Sequence, residues 1–220
     1  MEELTRPAAV LFDMDGVLVD SEPWHIESYI RAFSEVGLTL TTEVYRQNII
    51  IGQLSVRELF YSLGGDKERW EYVFKRKMAH TKKLMSEHLE IMPGTIRLLE
   101  MLKAEGIPTA LVTSAGKQSL DVIMGKYNLL PYFDHVMTWE DVRAIKPDPD
   151  GYIKAAQVFG VKPKDCVVFE DSPRGVLAAH RAGMKCIAVP TGTTHDGDFS
   201  LANVVVSSLE DATLDLLQEL

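Results

Sequence analysis

Only two cysteines, Cys166 and Cys186, occur in the 220 residues, too few for a disulfide scaffold. Both sit in apolar stretches with no metal-ligand spacing, so buried free thiols are expected. That usage favours a reducing compartment, and hence a cytoplasmic location. No apolar run approaches the roughly 18 residues that a membrane span needs, and the opening Met1 to Pro7 is short and acidic, unlike a secretory signal. Positive charge is also in deficit. Lys and Arg number 23 against 32 Asp and Glu, a formal charge of -9. This excludes a nucleic-acid backbone or an anionic membrane as the main partner. A small anion remains compatible, because a metal ion and a few lysines can invert the local sign. Repeats and low-complexity segments are absent. What is present is an ordinary globular composition, 46% hydrophobic and 25% charged, at a length that suits one large domain or one domain carrying an insertion.

Residues 8–12, Ala-Ala-Val-Leu-Phe, form an apolar run that meets the polar cluster Asp13-Met-Asp15-Gly16. This is the pattern of a buried strand ending in a loop. Further strands are predicted at 108–113, 133–138, 166–169, 186–189 and 204–206. Helical spacing fills the intervals: Ile96, Leu98, Leu99 and Leu102 recur before Gly106, and similar patterns run over 117–127, 149–159 and 173–182. Strand alternating with helix predicts right-handed crossovers and an α/β, Rossmann-like core whose parallel sheet carries helices on both faces. From about residue 21 to 89 only helical patterns appear, among them Ile26, Tyr29, Ile30 and Phe33 on one face. An all-helical cap over 19–90 is therefore expected, inserted after the first strand of a core formed by 1–18 and 91–220. Ligands bind at the carboxyl edge of open parallel sheets, where the strand order reverses, so the insertion is expected to act as a lid. Residues 211–220 are expected to form one final amphipathic helix.

The chemistry lies at the strand ends. The first strand runs into Asp13 and Asp15, the second into Thr113-Ser114, and the strand from Cys166 into Glu170-Asp171; Lys146-Pro-Asp-Pro149 precedes a helix. Two carboxylates two residues apart on extended chain stand about 6.6 Å apart, so they can share one substrate while playing different parts. Gly16 allows a sharp turn just beyond them. Four acidic groups in one place repel one another unless a hard cation sits among them, and carboxylates, a carbonyl, waters and a phosphate oxygen make the octahedral shell that Mg²⁺ prefers. Lys146 adds a compact positive charge, and the Thr113 hydroxyl with the backbone N–H groups beyond it suits a phosphate oxygen. Together these groups suggest phosphoryl transfer.

The ordered set Asp13-Met-Asp-Gly-Val-Leu-Val-Asp-Ser-Glu-Pro23, Thr113, Lys146-Pro-Asp and Glu170-Asp171 resembles the haloacid dehalogenase superfamily. The closer likeness is to its branch with a helical cap after the first motif, which includes β-phosphoglucomutase and many sugar-phosphate phosphatases. The resemblance implies that Asp13 attacks phosphorus to form an aspartyl-phosphate, and that Asp15 protonates the leaving oxygen and later activates water. It also implies that Asp13, the Asp15 carbonyl and Asp171 hold Mg²⁺, with Glu170 as a ligand or partner of that site. Lys146 would stabilise charge on the nucleophile and phosphoryl group, and Thr113 with the Ser114 backbone would orient that group. In mutase relatives a histidine on the first cap helix, matched here by His25, positions the acid/base and the sugar.

The second aspartate, Asp15, favours a phosphate ester over carbon–halogen or phosphonate chemistry. Mutase relatives grip the distal phosphate with a Lys-Gly-Val-Ser-Arg-like stretch. The corresponding Ile51-Gly-Gln-Leu-Ser-Val-Arg57 has no lysine, and its arginine lies two residues later. The expected function is therefore hydrolysis of a small phosphorylated metabolite, with Arg57 a candidate substrate contact. The alternatives are a phosphohexomutase and, in another class, a receiver-like phosphoaccepting module. The runs Lys75-Arg-Lys77 and Lys82-Lys83 are expected on a solvated helix face. No partner subunit is needed to close such a cap, so a monomer is expected.

Overall fold

The computed structural model describes residues 6–52 and 54–220. The first half contains β1 (Ala9–Phe12), β2 (Val19–Asp20), α1 (Glu22–Ser34), α2 (Thr42–Tyr45), α3 (Val56–Ser62), α4 (Lys67–His88), β3 (Glu90–Ile91) and α5 (Thr95–Ala104). A π-helical segment, Arg46–Ile51, joins the end of α2. Then come β4 (Thr109–Val112), α6 (Lys117–Tyr127), β5 (His135–Met137), α7 (Asp150–Phe159), β6 (Cys166–Glu170), α8 (Pro173–Arg181), β7 (Lys185–Ala188), β8 (Val204–Val205) and α9 (Leu214–Gln218).

Six parallel strands form one sheet in the order β5-β4-β1-β6-β7-β8. The chain leaves β1 outward through β4 to β5 and returns to β6 on the other side, so the strand order reverses at β1. That reversal opens a crevice at the carboxyl ends of the strands. β1 is apolar at every position because both of its faces are covered. Ala9 and Leu11 pack with Ala110, Val112, Val168 and Tyr152. Phe12 stacks on Phe169 with ring centres 5.1 Å apart and meets Phe133 edge-on at 6.0 Å. Truncating such a ring to alanine costs about 3–5 kcal/mol. The α/β fold expected from the sequence is thus present.

The chain divides into two compact units, one formed by the segment up to Asp20 with Ile91–Leu220, the other by Ser21–Glu90. The helical unit has its own core of Ile26, Phe33, Tyr45, Leu59, Phe60 and Val73. Phe33 meets Phe60 at 5.1 Å, and Phe60 meets Trp70 at 5.4 Å. No helix among the described residues is long and apolar enough to cross a membrane. Both cysteines are free and buried.

Two expectations change. Residues 211–220 do not form one helix: a 3-10 turn, Leu209–Asp211, precedes the five-residue α9. The Arg97 guanidinium donates to the carbonyls of Leu209, Glu210 and Ala212, and the Thr213 hydroxyl then caps a new start. The Ala212 N–H closes the turn on the Leu209 carbonyl at 3.2 Å, so the run stops there before α9 begins. The second change is the pair β2–β3, which flanks the helical unit and went unanticipated. At two residues each, with exposed Asp20 and Glu90 in them, these strands carry no apolar alternation to detect.

Candidate active site

β1 ends in extended chain, and the Asp13 N–H donates to the Phe169 carbonyl at 3.0 Å. This bond ties the carboxylate-bearing residue to β6. The backbone then closes a tight loop: Leu18 N–H donates to the Met14 carbonyl, and Gly16 N–H to the Val19 carbonyl at 2.8 Å. Gly16 makes the turn at φ +79°, and a Cβ there would overlap the Asp171 carboxylate. Only glycine provides both the left-handed backbone and the space. Asp15 sits within this loop, half-buried and electrostatically coupled to Asp13.

Asp13, Glu170 and Asp171 each bring a carboxylate oxygen within 4.8 Å of the others, and all three residues are buried. The Lys146 ammonium pairs with Asp13 and, at 2.7 Å, with Glu170 Oε1. Burial pushes Asp13 up to about 7; Lys146 opposes the rise, while Glu170 and Asp15 add to it. Burial pulls the Lys146 ammonium the other way, but Asp13 and Glu170 outweigh it and hold the lysine well above its usual range. Three buried carboxylates facing one buried ammonium leave negative charge to be met. A divalent cation with oxygen ligands would meet it, and three carboxylate oxygens this close together are the donors such a cation takes.

The loop carrying Lys146 is held from several sides. Arg174 donates to the Lys146 carbonyl at 2.8 Å, and Arg181 to the Pro147 carbonyl at 3.1 Å. Asp150, at the start of α7, accepts from the Arg143 N–H and guanidinium, and the Arg143 side-chain hydrogen bonds hold its carboxyl well below the usual range. Beyond β4, buried Thr113 accepts the Ala115 N–H on its hydroxyl at 2.9 Å. The hydroxyl proton stays available to an anion. Ser114 follows and is exposed.

The remaining candidates lie in the helical unit. His25 Nδ1 is 3.1 Å from Lys77 Nζ. Lys77 therefore departs from the solvated face expected for it. It is 7% exposed, lies 5.0 Å over the Tyr29 ring, and shares the buried face of α4 with Val73, Thr81 and Leu84. Helical periodicity turns Lys75, Lys82 and Lys83 outward and Lys77 inward. Arg57 folds along its own helix, donating to the Tyr61 hydroxyl at 2.8 Å. Trp24 stacks on His88 at 4.9 Å.

Sequence reasoning missed three residues here. Tyr152 donates its hydroxyl to Glu170 Oε1 at 2.5 Å; Arg174 holds the lysine loop; Gly175 leaves room for Glu170, whose carboxylate a Cβ would overlap. Their only sequence signal was position, on the helices that follow Lys146 and Asp171.

The sequence matches the haloacid dehalogenase-like hydrolase family over residues 10–189, whose members generally use a divalent metal. It is 32% identical to the phosphorylated carbohydrates phosphatase of Thermotoga maritima, over 96% of this chain and 98% of that one. It is 35% identical to hexitol phosphatase A of Escherichia coli, over 95% and 94%. The crystal structure of CbbY from Rhodobacter sphaeroides in complex with phosphate superposes with a TM-score of 0.83 at 25% identity, over 93% of this chain and 96% of that one. With a family match over most of its length and the acidic cluster at the strand reversal, the chain belongs to the haloacid dehalogenase-like hydrolases.

Proposed function

We propose that this enzyme is a Mg²⁺-dependent phosphatase that hydrolyses a small phosphomonoester, a sugar or polyol phosphate, through an aspartyl-phosphate. The observation that carries the reading is the buried Asp13 carboxylate paired with Lys146 at the carboxyl end of the central strand, beside Glu170 and Asp171. The names of the phosphatase relatives, which cover nearly the whole chain, support it.

In this reading Asp13, the Asp15 carbonyl, Glu170 and Asp171 hold the cation. When bound, Mg²⁺ supplies charge that keeps Asp13 ionised and neutralises the phosphoryl oxygens. One Asp13 oxygen attacks phosphorus as the bond to the ester oxygen breaks, and Asp15 gives its proton to that leaving oxygen. Asp15, now a carboxylate, takes a proton from water; the water oxygen attacks phosphorus, releasing phosphate and restoring Asp13. Lys146 stabilises the charge passing between Asp13 and the phosphoryl group, and the Thr113 hydroxyl and Ser114 backbone orient that group. His25 and Arg57, both in the helical unit Ser21–Glu90, are the further candidate substrate contacts.

The test is a panel of sugar, polyol and other small phosphate esters with and without Mg²⁺, scored for free phosphate and for isomerised product. Phosphate release with at least one ester, abolished in Asp13→Asn, is expected. Isomerised product without phosphate release would replace the reading with a phosphohexomutase. Wild-type rates in Asp13→Asn would overturn the nucleophile.

A further inference from the structure

We infer that Tyr152 is a positioning residue for this reaction: its hydroxyl fixes the Glu170 carboxylate between Lys146 and the cation-binding carboxylates, and through Glu170 it sets where Lys146 meets Asp13. The inference rests on the phosphatase reading of the site.

Tyr152 lies on the first turn of α7 and is 1% exposed. Its ring packs among Ala9, Leu11, Val112, Val168 and Cys186, a setting a phenylalanine would fill equally well. A buried hydroxyl in such a place is costly unless it is hydrogen-bonded. The bond it makes is to Glu170 Oε1, at 2.5 Å. Lys146 meets the same oxygen at 2.7 Å, and its ammonium stands 5.0 Å over the Tyr152 ring. Oε1 thus receives two donors, while Oε2 has the Ser172 hydroxyl at 3.3 Å. Gly175 keeps the space beside both oxygens clear.

This arrangement divides the work of one carboxylate. Glu170 belongs to the cluster that would hold the cation, yet it also competes with Asp13 for the ammonium of Lys146. A neutral donor on Oε1 satisfies that oxygen without adding charge, so Lys146 stays shared with the nucleophile. Partners of this kind orient metal ligands, and removing one typically costs about 10–100-fold in metal affinity or activity.

The experiment uses the full chain and Mg²⁺ alone, by calorimetry, alongside steady-state kinetics on an ester from the panel. Tyr152→Phe is expected to raise the Mg²⁺ dissociation constant and lower kcat, each by roughly tenfold, with the KM of the ester unchanged. Because Tyr152 acts through Glu170, Tyr152→Phe combined with Glu170→Gln should be no worse than Glu170→Gln alone. Wild-type Mg²⁺ affinity in Tyr152→Phe, additive losses in the double variant, or no Mg²⁺ binding by the wild type would each overturn the inference. Calorimetry needs no turnover, so a chain that binds Mg²⁺ but releases no phosphate overturns the phosphatase reading and leaves the Tyr152 comparison standing. Should Tyr152→Phe fail to fold, 3-fluorotyrosine placed at position 152 gives the readout. Its ¹⁹F resonance should move along the Mg²⁺ binding curve, and a resonance that stays in place overturns the inference.

Discussion

At the scale of single residues, two aspartates two positions apart are given different surroundings. Asp13 is buried against Lys146, whereas Asp15 sits half-buried in the loop that Gly16 turns. The difference suits a nucleophile held by a cation and an acid/base that exchanges protons with ester and water. Asp15→Asn should lower kcat by roughly 10²–10⁴ for an alkyl phosphate, and by much less for an ester whose leaving group needs no proton. Comparing an alkyl with a nitrophenyl ester checks this; equal losses on both would sink the acid role. Asp13 and Asp15 were legible in the sequence because the chemistry demands carboxylates just beyond an apolar strand. Tyr152 was not, because an apolar ring at helical spacing looks the same whether or not its hydroxyl has a function.

At the scale of elements, α8 sets a local preference against a tertiary need. Gly175 lies within the first turn of this helix, where alanine would ordinarily add up to about 1 kcal/mol of stability. Here the added methyl would overlap the Glu170 carboxylate. Gly175→Ala should therefore lower the melting temperature and weaken Mg²⁺ binding together; a more stable variant with unchanged Mg²⁺ affinity would show that Glu170 moves freely. In the helical unit, Glu35 at the end of α1 gathers three residues of α4. Arg76 binds it through two nitrogens at 2.6 and 2.9 Å, His80 at 2.7 Å and Tyr72 at 3.2 Å. Hydrogen bonds from Arg76, then His80, hold its carboxyl down at about 2, from an ordinary 4.5. A carboxyl with a depressed folded-state pKa contributes stability above its unfolded value and loses it as the pH falls through the folded one. The gap in melting temperature between wild type and Glu35→Gln should be full above pH 4.5 and close as the pH approaches about 2. Thermal melts across that range check it, and a gap independent of pH would mean that packing, not charge, joins the two helices there.

At the scale of the whole molecule, a net charge of -9 coexists with a site proposed to take a phosphate. The total says little about the site, because Lys146 and a bound cation determine the local sign there. A cation that binds the folded state alone stabilises it by about 2.7 kcal/mol at one hundred times its dissociation constant. For a chain of this size that is a rise in melting temperature of roughly 5–10 °C. Calorimetric scans in a chelator and in saturating Mg²⁺ should show it. With two compact units, the scan can resolve two transitions, and the rise should then fall on the one that carries Asp13. A rise confined to the transition of Ser21–Glu90 would place the cation elsewhere.

The sequence by itself determined the alternation of strand and helix, the helical stretch between residues 21 and 89, the three clusters at strand ends and the Lys146 cluster ahead of a helix. These depend on local periodicity and on residue chemistry, both of which are written along the chain. Only the tertiary structure decided that Lys77 meets His25, that Arg97 breaks the last helix, and that Tyr152 and Gly175 shape the surroundings of Glu170. Each of those outcomes depends on which side chain a distant element brings within hydrogen-bonding or van der Waals reach. Spacing along one segment carries no record of that meeting.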